Sequence, residues 1–126
     1  ALVSFTVIRQ LTDDASDWIA DLQTGHVNAV AAQLIAAMYS TGRLSPGQAL
    51  DLEQLVGFQV HAEELWAELE AECTAQAQAA RTALAPYGAT TIGALLERQA
   101  AKATAYWEEA RTNRKHLRTL FGLARP

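Results

Sequence analysis

The sequence predicts an all-α protein of three main helices, spanning about 13–42, 46–85 and 91–121, with the last two folded as a long antiparallel hairpin in an elongated helical bundle. Three observations carry that expectation. No proline interrupts the chain between Pro46 and Pro86. Apolar and small residues recur there at alternating spacings of three and four, through Leu52, Leu55, Gln59, Ala62, Trp66, Leu69, Cys73, Gln76, Ala80 and Ala83, the period of helices packed side by side. A second seam of the same period follows Gly88, through Ile92, Leu95, Gln99, Ala103, Tyr106, Ala110, Asn113, Leu117 and Leu120.

Residues 1–11 read as a short helix or an extended arm. Val3, Phe5 and Val7 alternate like a strand, whereas Phe5, Ile8 and Leu11 share a helix face. The polar stretch Thr12 to Asp17 then supplies caps and acids suited to a helix N-terminus. From Trp18 to Met38 the apolar spacing is helical, with Gly25 a possible kink and Gly42 a left-handed C-cap. Ser45-Pro46-Gly47-Gln48 has the form of a capping box with proline at the first helical position. A helix from there to Pro86 would rise roughly 60 Å at about 1.5 Å per residue. Gly57 is its weak interior position and a natural crossing point for another backbone. Pro86-Tyr87-Gly88 ends it, and Thr90-Thr91 can cap the last helix.

The 126 residues fit one helical domain over 1–126, and short internal turns make neighbouring helices antiparallel. Half the residues are apolar, but alanine supplies so many that the core should be thin and closely spaced. Cys73 is the only cysteine, which excludes an internal disulfide and suits a small filler of the seam. No signal-like pattern opens the chain and no apolar run reaches the ~20 residues that span a bilayer. A soluble protein, cytoplasmic or within a virion particle, with no membrane partner is therefore expected.

Charge is divided along the chain. Up to Glu97 three Lys and Arg oppose twelve Asp and Glu; from Arg98 onward seven oppose two. An antiparallel hairpin would set Arg111, Arg114 and Lys115 beside His61, Glu63 and Glu64, so the two patches would partly cancel. One short basic patch on a chain of net charge −4 argues against nucleic acid as a partner.

The residues of this chain do not spell a catalytic site. Glu63, Glu64, Glu68, Glu70 and Glu72 crowd near His61, yet bundle di-metal centres use Glu-x-x-His pairs, and His61-x-x-Glu64 is the reverse order. There is no Gly-x-Ser-x-Gly, no Cys/His signature and no glycine-rich phosphate loop, and His26, His61 and His116 are widely separated. The expectation is a non-enzymatic module without cofactor, metal or small-molecule substrate that binds protein chains, either its own copies or other subunits. The candidate anchors are Leu55, Phe58, Leu65, Trp66 and Leu69 with Tyr106, Trp107, Leu117, Leu120 and Phe121. A hairpin must bury one face of each helix before offering another, so part of this set belongs to the core, and the Trp and Tyr left on the second face are the hot-spot candidates.

From Phe5 to about Arg111 the order of Trp18, His26, Gly42, Ser45-Pro46, the amphipathic run Gln59 to Leu69, and Tyr87-Gly88 resembles the helical region of tailed-phage minor head and related virion proteins. The resemblance lies in spacing. It implies a structural role within a particle and transfers no catalytic residue. The chain departs from that pattern in lacking a Cys- or His-rich tail and in carrying the acidic run Glu63 to Glu72. The alternative is an export or secretion-type chaperone or adaptor, an acidic helical hairpin that holds a partner polypeptide. The polar seam positions Gln59, Gln76, Gln99 and Asn113 would suit it, and would equally serve to set helix register.

Overall fold

The structure, a computed structural model, describes residues 2–88 and 90–124, and side chains over 3–88 and 90–120. The described residues are all-α, but they form five α-helices rather than three. These are α1 (Leu2–Gln23), α2 (Ala29–Ser40), α3 (Leu52–His61), α4 (Glu63–Leu84) and α5 (Thr91–Ala124), with a 3₁₀ turn at Ala85–Tyr87.

The first expected helix is two. Ser4, Ile8, Ala15 and Trp18 are buried on one face of α1, so its N-terminal part follows the helical spacing and not the alternating one. The Thr12 to Asp17 stretch does not cap a helix; it lies inside one. Thr12 turns its hydroxyl onto the Ile8 carbonyl (2.8 Å), and Asp13 and Asp14 face Arg9 and Gln10 one turn back. Helix α1 stops at Gly25, whose φ of 85° is the left-handed conformation that closes a Schellman motif. The His26 N–H reaches the Asp21 carbonyl (2.8 Å) and the Gly25 N–H that of Leu22 (3.0 Å). Gly42 ends α2 by the same device, with bonds from Arg43 to Met38 and from Gly42 to Tyr39.

The second expected helix is also two, preceded by a loop. Ser45-Pro46-Gly47-Gln48 is a turn, not a helix start. The Gln48 N–H returns to the Ser45 carbonyl (3.0 Å), Pro46 takes the first central position, and Gly47 at φ 81° takes the second, as a type II turn requires. The Gln48 side chain does accept from the Ser45 N–H (3.0 Å), so the capping contact forms without the helix. The helix begins only at Leu52, where Asp51 accepts the Glu53 N–H (3.0 Å). It breaks at Ala62, whose ψ of 49° interrupts the ladder. A Cβ on Gly57 would meet nothing within 4 Å, so among the described residues no backbone crosses there.

The core draws on every helix. Ile8 and Trp18 of α1 join Val30, Leu34 and Met38 of α2, Leu55 of α3, Trp66, Leu69, Cys73, Ala77 and Ala80 of α4, and Leu96, Ala103 and Trp107 of α5. Helix α1 packs along α4 and also touches α2 and α5, while α3 sits between α2 and α5. Helices α4 and α5 are antiparallel, since Glu63, Glu70 and Arg81 pair in turn with Arg114, Arg111 and Glu97. On α5 the buried stripe runs through Leu96, Ala100, Ala103 and Trp107, one position away from much of the expected seam, leaving Ile92 and Leu95 exposed. Ala77, Ala80, Ala100 and Ala103 are buried along the α4–α5 region, three of them (Ala77, Ala100 and Ala103) in the same concavity as Trp107.

Candidate functional site

The break at Ala62 exposes backbone carbonyls that an unbroken helix would have paired. Two side chains from elsewhere satisfy them. The Trp66 indole donates to the Gln59 carbonyl (2.9 Å), and Arg118 of α5 donates to the Val60 carbonyl (3.0 Å). Arg118 also bonds the Glu63 carboxylate, which accepts from the Arg114 Nε as well (3.0 Å). Arg114 is buried, with its guanidinium over the Trp66 ring at 4.9 Å. Burial pushes the Glu63 carboxyl up, but the two guanidinium groups more than offset this and hold it below the usual carboxylate range. The outcome is a rigid junction of α3, α4 and α5 made from one carboxylate, two arginines and a tryptophan.

Beside this junction, with Glu63 in its lining, a groove of about 660 Å³ opens between the C-terminal half of α2, α3 and the first turns of α4. Ala36, Ala37, Phe58 and Leu65 give it an apolar floor, while Glu64 and Glu68 stand on its rim with His61 and Arg43. The Arg43 guanidinium lies over the Phe58 ring at 5.4 Å. Glu64 and Glu68 form no ion pair among the described residues and are exposed.

The anchors named from sequence divide three ways. Leu55, Trp66, Leu69 and Trp107 are buried in the chain's own core, so a partner cannot reach them while the fold is intact. Phe58, Leu65 and Tyr106 are half-buried, the first two in the groove. Tyr106 packs edge-on against Trp107 at 5.2 Å, and burial raises its hydroxyl above the usual range. Leu117 and Leu120 are exposed at 36% and 61% on the last turns of α5, away from the groove floor. The Phe121 side chain lies outside the described residues.

Sequence reasoning passed over the α2 wall, because α1 and α2 were expected to be continuous. Asn28 is the key to its placement. Its side chain accepts the Ala31 N–H (3.0 Å) to cap α2 and donates to the Asp14 carbonyl (3.0 Å) and the Asp21 carboxylate (3.1 Å) of α1. An Asn three residues after a Gly was the available signal. Among the described residues no group of three or more His, Cys, Asp and Glu is placed to hold a metal ion, and no helix is long and apolar enough to cross a membrane. Compared with known proteins, the chain matches no family model, no curated protein and no solved structure.

Proposed function

We propose that the chain is a non-enzymatic helical interaction module that serves as a structural component of a larger assembly, such as a phage particle, and that the α2–α3–α4 groove is its docking surface. The observation that carries this reading is the groove itself. Its half-buried Phe58 and Leu65 and its alanine methyl groups lie beside two carboxylates, Glu64 and Glu68, that form no ion pair among the described residues. The Glu63–Arg114–Arg118 junction, which shares Glu63 with the groove lining, supports the reading, because a preorganised surface loses less entropy on association.

The test compares association with fold integrity. Glu64→Lys with Glu68→Lys reverses the rim, and Phe58→Ser places a hydroxyl on the floor. In sedimentation of the chain and of the complex isolated with it from its native source, both variants should shift from assembled to free while helical circular dichroism is retained. A chain that sediments as a free monomer in both settings refutes the proposal. Capture of one extended polypeptide per monomer, rather than a fixed assembly, would point instead to an export-type chaperone or adaptor.

A further inference from the structure

The seam that the sequence draws along α5 is not the line that the fold buries. Ile92, Gln99, Tyr106, Asn113 and Leu120 recur at every seventh residue, with Leu95 and Leu117 between them on the same helix face. Packing within the chain uses the neighbouring stripe of Leu96, Ala100, Ala103 and Trp107. The seam is left with Ile92 49%, Leu95 44%, Leu117 36% and Leu120 61% exposed, with Asn113 exposed and Gln99 and Tyr106 half-buried. Lys102 and Glu109, also seven residues apart, stand on one edge of it. Both are exposed and form no ion pair among the described residues.

Large apolar side chains spaced along one helix face gain from being covered. The order of residues in the seam points to what covers them. Turned end for end about Tyr106, the seam matches itself: Ile92 comes level with Leu120, Leu95 with Leu117 and Gln99 with Asn113, while the two Tyr106 side chains meet at the axis. The same operation brings Lys102 of each copy within one residue of level with Glu109 of the other, on the same edge of the contact. Each exposed charge then gains an opposite one, twice over by symmetry. A parallel pairing in register brings every residue level with its own copy and gives neither charge a partner. We propose that α5 docks on α5 of a second copy of this chain, antiparallel about a two-fold axis at Tyr106, to form a symmetric dimer. This surface is distinct from the α2–α3–α4 groove, and the dimer does not depend on it.

Sedimentation of the full chain over a range of concentrations should show a monomer–dimer equilibrium. Leu95→Gln with Leu120→Gln changes residues that are exposed in the monomer, so helical circular dichroism should be retained while dimerisation weakens about a hundredfold, two leucines being lost from each copy. Lys102→Glu should weaken it about tenfold, since two attractive pairs become repulsive, and Lys102→Glu with Glu109→Lys should restore it. Disulfide crosslinking in a Cys73→Ala background reads the register. Gln99→Cys and Asn113→Cys should link when the two variants are mixed and not when either is alone, because like positions then lie ~21 Å apart along the helix, beyond disulfide reach. Glu64→Lys with Glu68→Lys, which tests the groove, should leave the dimer in place, so the two surfaces can fail separately. The proposal is overturned by a chain that stays monomeric at every concentration, by a dimer indifferent to the leucine changes or lost in the groove variant, by a charge exchange that restores nothing, or by either cysteine variant linking to itself.

Discussion

Replacing Glu63 by glutamine removes the negative charge that two guanidinium groups share, while leaving an oxygen in place to accept a hydrogen bond. The Arg114 side chain is 8% exposed, so its charge would lose its partner in a poorly solvated position; Glu63 is 41% exposed, so water screens part of the interaction. A charge-assisted hydrogen bond in a dry site is worth about 1.5–3 kcal/mol. Allowing for that screening and for the retained amide oxygen, Glu63→Gln should cost roughly 1–2 kcal/mol at neutral pH. For a chain of this size that is a fall in Tm of about 3–8 °C. Arg114→Met keeps the aliphatic stem over Trp66 and removes the charge that Glu63→Gln orphans. The double variant should therefore be more stable than the sum of the two single losses predicts. The sign with pH follows from the depressed carboxyl of Glu63. Its contribution is fully present above the glutamate range of the unfolded chain and is lost as pH falls through the lower folded value. The gap between wild type and Glu63→Gln should thus narrow in acid. Urea unfolding of the four proteins at neutral and acidic pH measures all of this. A Glu63→Gln protein within about 0.3 kcal/mol of wild type, or strictly additive losses, would refute the junction as a stabilising unit.

Two further outcomes are expected. Asn28→Ala removes the α2 cap and both bonds to α1 from a residue only 5% exposed, so it should cost about 2–3 kcal/mol and raise hydrogen exchange in the first turns of α2. Asn28→Asp should also destabilise, because it keeps the acceptor but loses the donors and faces Asp21 with a second carboxylate. The Cys73 thiol, pushed up by burial, should stay protonated well above neutral pH and resist a bulky anionic disulfide reagent in the folded chain. It should react promptly in denaturant; rapid labelling of the native protein would contradict its placement between α1, α4 and α5.

The candidate site was legible only in part. Phe58, Leu65 and the acids Glu63, Glu64 and Glu68 could be read as neighbours from helical spacing alone, because a run of this kind repeats its faces whatever it packs against. Arg114 was legible in part. Antiparallel pairing of the last two helices set it beside Glu63, where it lies, but its burial follows only from the Trp66 ring and Glu63 meeting it across the α4–α5 contact. The Trp pair shows the same limit. Trp66 and Trp107 looked like candidate hot spots, but their rings lie 6.4 Å apart within the core.

By itself the sequence determined the helical class, the turn around Pro86 and the stop at Gly42, since periodicity and left-handed glycines act locally; Gly25, read as a kink within one helix, is a stop between two. Gly47 carried a local signal as well, but the same four residues fit a capping box and a type II turn, and local rules did not choose between them. Tertiary structure alone decided the break at Ala62. Nothing in an alanine marks the end of a helix. The ladder opens there because a tryptophan from the next helix and an arginine from the last one take up the carbonyls it releases, and such partners exist only once the bundle has closed.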